Sequence, residues 1–94
     1  MTELREVELA NGILSFDGRV IEAFGFYTDT DRVHVGQLQK LDCKQKGNRV
    51  VLAVHGSGGS NFVLTGKFDP DRAMDLEGWV EAIRAAAPSA RVSG

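Results

Sequence analysis

Cysteine is nearly absent from this sequence, and neither a long apolar run nor an excess of positive charge occurs in it. The single cysteine, Cys43, has no partner for an intramolecular disulfide, which argues against a disulfide-stapled secreted scaffold. No segment approaches the roughly 18 apolar residues of a membrane span. Residues 1–12 alternate charged and apolar side chains, unlike a secretory signal. We therefore expect a cytoplasmic protein.

The charge balance argues against a nucleic-acid partner. Eleven Lys and Arg residues stand against thirteen Asp and Glu residues, for a formal net charge of −2, whereas non-specific nucleic-acid binders present a broad positive field. The chain has 94 residues, of which 43% are hydrophobic, and such a chain folds around one core. We expect one domain over residues 1–87 and a flexible C-terminal tail over residues 88–94, because the tail is small and polar.

Most of the chain consists of short segments with the composition or period-two alternation of β-strands. Asn11-Gly12 is a strong signal for a tight hairpin turn, and Asp17-Gly18 is a second signal of the same kind. The first strand is accordingly either one bent strand or two short ones. In total the sequence predicts six or seven strands, at residues 6–9, 13–16, 19–27, 33–35, 38–44, 49–55 and 61–68.

The pattern changes at Asp69-Pro70, where Asp is a favoured helix cap and Pro is favoured at the first helical position. Between this start and Pro88, which ends the helix, apolar residues recur at helical spacing. One face of the helix is therefore expected to cover a sheet. Trp79 is predicted to be part of that buried face and not an exposed binding anchor. The stripe consists of Ala73, Leu76, Val80, Ile83 and Ala87.

Two stretches carry a resemblance to a known family. The segment LEGWVEAIRAA places Trp79 where the terminal helix of that family has a tryptophan, and DRVHVGQLQKLDC looks like a short strand, a turn and the next strand. The chain thus resembles a pleckstrin-homology-like (PH-like) domain of the bacterial type over roughly residues 6–87. The resemblance implies a mostly β (α+β) fold, in which a bent sheet or partly open barrel is capped by one C-terminal amphipathic helix.

The basic residues of one hairpin are the candidate binding residues. Lys44, Lys46 and Arg49, with Lys40 nearby, form the one basic concentration in the sequence, and a solvated strand edge that opposes aggregation explains them better than a nucleic-acid site does. Three cations near an anionic leaflet supply roughly 3 kcal/mol, below the about 4 kcal/mol of a millimolar affinity. Phosphoinositide-binding relatives carry several cations at the first interstrand loop, where this chain has one. We therefore expect no strong membrane binding.

The sequence contains no complete set of residues for catalysis or for binding a metal. Residues 50–60, VVLAVHGSGGS, resemble the His-Gly-Gly loop of α/β-hydrolases, but no histidine follows His55 to complete a triad. His34, Cys43 and His55 lie on separate predicted strands without the close spacing of structural zinc ligands. The sequence therefore predicts no enzyme, no cofactor and no metal.

The leading functional hypothesis is a non-catalytic interaction module for a protein or peptide partner. The partner would dock on an exposed sheet edge or in the groove between an edge strand and the helix. Two alternatives stay open: a small-ligand carrier or enzyme using the His55–Ser60 loop, and a membrane-surface adaptor using the Lys44–Arg49 hairpin. Homo-oligomerisation is also left open.

Overall fold

The computed structural model describes residues 4–25, 31–59 and 61–94, and the described chain is mostly β with one long helix. Its strands form two antiparallel meanders, one from each half of the chain, with one further strand added at the end. The strands are β1 (Arg5–Leu9), β2 (Gly12–Phe16), β3 (Val20–Phe24), β4 (Asp31–His34), β5 (Leu38–Lys46), β6 (Arg49–Gly56), β7 (Asn61–Lys67) and β8 (Arg91–Ser93).

The first sheet has the order β1-β2-β3-β4, and tight turns set its register. Leu9 pairs with Gly12 across a two-residue turn, so the turn predicted at the first hairpin signal is confirmed. The first strand segment of the sequence is therefore two short strands, β1 and β2, and not one bent strand. At the second signal, Asp17 Oδ1 accepts hydrogen bonds from the amides of Val20 and Arg19, both at 2.8 Å. These bonds favour the carboxylate and lower the pKa of Asp17.

The second sheet has the order β7-β6-β5-β8. Lys46 pairs with Arg49 across Gly47, whose φ of 59° is the left-handed conformation that this tight turn uses. Residues along β6 and β7 alternate strictly between buried and outward-facing positions. β8 pairs in parallel with the free side of β5, from Lys40 and Arg91 to Asp42 and Ser93.

The predicted helix is confirmed. Asp69 caps its start by accepting a hydrogen bond from the Asp71 amide at 3.0 Å, and a 3₁₀ turn, Pro70–Arg72, leads into α1 (Ala73–Ala86). The helix contacts β1, β2 and β8. Its buried residues are Leu76, Trp79, Val80 and Ile83, and Trp79 is fully buried in the core that both sheets share.

The prediction of six or seven strands is wrong, because the described residues contain eight, in two four-stranded sheets that do not close into a barrel. The unexpected strand is β8, which lies in the segment 88–94 that the sequence predicts to be a flexible tail. Three residues carry no readable periodicity, and β8 exists because β5 offers it a partner. The strand predicted over residues 19–27 is shorter, since β3 begins at Val20 and ends at Phe24 before a bend at Gly25, whose φ is 82°. Residues 26–30 lie outside the described residues.

The one α-helix in the described ranges is too short to cross a membrane.

Candidate functional site

The three predicted binding residues lie together at one end of the second sheet. Lys44, Lys46 and Arg49 are all exposed. Their side chains share the outward face, because Gln45 lies on the opposite face of β5 and the two residues after Lys46 form the turn. Lys44 Nζ lies 4.0 Å from Asp42 Oδ2, a long and exposed contact that contributes little. The hairpin therefore presents a solvated positive charge.

Sequence reasoning missed a fourth residue of this group. Lys67, at the end of β7, is in direct register with Arg49, which is in turn in register with Lys46. We call Lys46, Arg49 and Lys67 the basic row. Its members lie on three adjacent strands about 4.8 Å apart. The sequence does not show this neighbour, because position 67 comes beside position 49 only through the pairing of β6 with β7.

Like charges directly opposite on neighbouring strands destabilise a sheet. We therefore expect Arg49→Glu to raise the free energy of unfolding by about 1 kcal/mol at low salt, since it converts two repulsive neighbours into attractive ones. Urea unfolding measures the change, and Arg49→Gln, which only removes the repulsion, should fall between the two proteins. The difference should shrink in ~1 M salt, where the Debye length is about 3 Å. A less stable Arg49→Glu protein at low salt would contradict the argument.

A groove lies on the opposite side of β5, between this strand and α1, and β8 fills part of it. Arg84 Nη2 donates a hydrogen bond to the Val92 carbonyl oxygen at 3.2 Å, which fastens β8 to the helix. Val92 is half-buried and packs against the core. Gly94 follows so closely that a side-chain carbon added there would come within 3.1 Å of Val80 Cγ1. The chain therefore places its own extended segment in this groove.

Beyond β8 the groove continues as a cavity of about 210 Å³. Apolar side chains from the core form its floor, and glutamates of α1 form one rim. It is lined by Cys43, Gln45, Leu76, Glu77, Val80, Glu81 and Gly94.

Cys43 lies in the groove, and burial changes the chemistry of its thiol. Burial raises the pKa of the Cys43 thiol from an ordinary 9.0 to about 11, and the neighbouring Asp42 carboxylate acts in the same direction. The thiol is therefore protonated at neutral pH and is a poor nucleophile.

The loop that resembles a hydrolase motif connects two strands. Asn61 Oδ1 accepts a hydrogen bond from the Gly56 amide at 3.2 Å, across the 3₁₀ turn Ser57–Gly59. His55 is exposed on the outer face of β6 and makes no side-chain hydrogen bond within the described residues. Ser60, the last residue of the predicted loop, lies outside the described residues.

The candidate metal ligands are not brought together. His34 Nδ1 accepts a hydrogen bond from the Gly36 amide at 3.0 Å and so caps a local turn. Across residues 4–25, 31–59 and 61–94, no three His, Cys, Asp or Glu side chains are grouped as metal ligands.

No protein-family model matches the sequence, and no curated protein is significantly similar to it.

Proposed function

We propose that this protein is a non-catalytic binding module that accepts an extended peptide of a partner protein in the groove between β5 and α1. With this we propose a PH-like domain, supported by the arrangement of two β-meanders and one terminal helix. We also propose a cytoplasmic location, for which the support is the sequence alone.

The observation that carries the proposal is the position of β8. An extended segment, Arg91–Ser93, already forms a strand against the edge of β5 and is fastened to α1 by Arg84. Strand addition to a sheet edge is a general mode of peptide recognition, in which backbone hydrogen bonds supply affinity and side-chain pockets supply selectivity. This edge therefore has the backbone geometry that such recognition needs.

The groove also offers side-chain contacts. Its open part is lined by the largely buried side chains of Leu76 and Val80 and by the polar Gln45 and Glu81. Peptide sites commonly combine an apolar floor with a few polar groups that fix orientation. A partner peptide that follows β5 beyond Asp42 would place side chains in this cavity.

The partner peptide and β8 compete for the same edge of β5. A ligand that binds only the open form has an affinity reduced by the fraction of molecules that are open. Any change that weakens the docking of β8 without unfolding the domain should therefore tighten peptide binding.

Peptide selection tests the proposed function directly. A phage-displayed library of random dodecapeptides is selected against the full chain, and the selected peptides are tested for protection of Cys43 against iodoacetamide. We expect protection, because Cys43 lines the groove. Selected peptides that bind without protecting Cys43, or a failure to select any peptide, would count against a peptide groove.

A matched pair of variants tests the competition with β8. Arg84→Ala loses the hydrogen bond to Val92 together with the ion pair to Glu81, whereas Glu81→Ala loses the ion pair alone. We expect Arg84→Ala to bind the selected peptides several-fold more tightly than the parent protein does, and Glu81→Ala, which keeps the bond to Val92, to bind them no more tightly than the parent, as measured by fluorescence anisotropy. Equal affinities of the two variants would show that β8 does not compete.

A further inference from the structure

The outer face of the second sheet concentrates the positive charge of a protein that is acidic as a whole. Six of the eleven Lys and Arg residues occupy its outward positions, with one carboxylate, Asp42, among them. The rest of the molecule is accordingly more acidic than the formal net charge of −2 indicates. We call this surface the basic face. Its cations are Lys40, Lys44, Lys46, Arg49, Lys67 and Arg91.

The basic face has two charged ends and a mostly uncharged middle. At one end is the basic row, and at the other Lys40 pairs with Arg91 across β5 and β8. Between them, Val51 and Val63 are 38% and 61% exposed. Lys40 and Lys46 are six residues apart on β5, which corresponds to about 20 Å at roughly 3.3 Å per residue.

The basic row is not neutralised within the molecule. No ion pair in the part of the chain that the structure describes involves Lys46, Arg49 or Lys67. Three cations on adjacent strands repel one another, and an anion from outside would relieve that repulsion. A cleft of about 380 Å³ beside the row gives such an anion room, and it is lined by Ala10, Asn11, Arg49, Thr65, Gly66 and Lys67.

We propose that the basic face binds an acidic, extended segment of a partner protein, with carboxylates at both ends of the face. Charge complementarity selects the partner, and the exposed valines contact apolar side chains between its carboxylates. A segment of about seven residues spans the two charged ends. This inference goes beyond the peptide groove, because the outward positions of β5 point away from the groove.

An acidic polypeptide fits this face better than a nucleic acid or a bilayer does. Single-stranded nucleic acids are held by aromatic side chains on which bases stack, and no Phe, Tyr or Trp occupies an outward position of these four strands. An anionic bilayer is wider than the face, so most of its headgroups would meet no cation. A narrow segment contacts the cations alone.

A fluorescein-labelled octaglutamate peptide is the probe, and its anisotropy is measured with the full chain at ~50 and ~200 mM salt. We expect binding that weakens at the higher salt. Arg49→Glu should lower the affinity roughly fivefold, and the triple change K46E/R49E/K67E should lower it on the order of a hundredfold. Arg19→Glu, an equal change of charge in the β2–β3 turn, is the matched control and should leave the affinity within about twofold.

Loss of binding in Arg49→Glu is separable from unfolding, because that variant is expected to be more stable than the parent protein. Glu81→Ala, which changes the lining of the groove but keeps the bond from Arg84 to β8, should bind octaglutamate as the parent protein does, which separates this surface from the groove. Three results would overturn the proposal: no binding at low salt, an equal loss in Arg19→Glu, or tighter binding of a dodecathymidylate or of phosphatidylserine vesicles than of octaglutamate.

Discussion

Trp79→Ala should lower the free energy of unfolding by about 3–5 kcal/mol, the range observed for removing a buried aromatic ring. The ring is fully buried between the helix and the sheets, and alanine leaves a cavity that a core shared by two sheets and a helix closes only in part. Urea unfolding at neutral pH measures the change. A loss below about 1 kcal/mol would mean that the ring contributes little packing.

Trp79→Phe is the control that separates packing from hydrogen bonding. The indole Nε1 is buried and has no hydrogen-bond partner among the described residues, and an unsatisfied buried donor costs roughly 1–3 kcal/mol. Phenylalanine keeps most of the apolar volume and removes that donor. We therefore expect Trp79→Phe to lose much less stability than Trp79→Ala. Equal losses in both variants would assign Nε1 a role that the described contacts do not show.

Cys43 should react with iodoacetamide at pH 8 about a hundredfold more slowly in the folded protein than in urea. The rise of the Cys43 pKa from 9.0 to about 11 lowers the thiolate fraction by that factor, and the thiolate is the reactive form. Mass spectrometry of timed samples gives both rates. Comparable rates in the folded and unfolded protein would contradict the burial of this thiol.

Val92→Asp extends this experiment to β8. A carboxylate at the half-buried position of Val92 opposes the docking of β8, and it should speed alkylation of Cys43 while unfolding remains cooperative. Arg91→Asp, at an exposed position of the same strand and in register with Lys40, introduces a carboxylate outside the core and opposite a cation, and it should leave the rate nearly unchanged.

Ionisation of the Cys43 thiol should make the free energy of unfolding fall at high pH. Below about pH 9 the thiol is protonated in both the folded and the unfolded state, so it contributes no pH dependence. Between pH 9 and about 11 the unfolded chain releases a proton that the folded chain keeps. The stabilisation from Cys43 is therefore complete below pH 9 and is lost as the pH rises through that interval. Cys43→Ala should remove this component of the decline.

The elements that the sequence predicted well are those determined by local chemistry. The turn after Leu9, the cap at Asp69 and the helix stripe around Trp79 each depend on residues within a few positions of one another. The basic hairpin was equally readable, because Lys46 and Arg49 are joined by two residues. For these features the sequence neighbourhood is also the spatial neighbourhood.

The features that the sequence did not reveal depend on distant pairing. Arg91 lies beside Lys40 only because β8 adds to the far edge of β5, and Lys67 joins Arg49 through the register of β7. The basic face was therefore underestimated when Lys44, Lys46 and Arg49 were considered alone. Strand β8 was missed for the same reason, since its stability comes from β5 and α1 and not from the propensity of three residues.

The late position of β8 in the chain has a consequence for folding. β5 and β6 meet through a two-residue turn, whereas β5 and β8 are about fifty residues apart, so the entropy of loop closure makes their pairing one of the last to form. Until then the longest strand of the domain exposes one unpaired edge, and such edges recruit strands of other molecules. The yield of monomeric protein after refolding at high concentration should therefore depend on how quickly Arg91–Ser93 reaches β5.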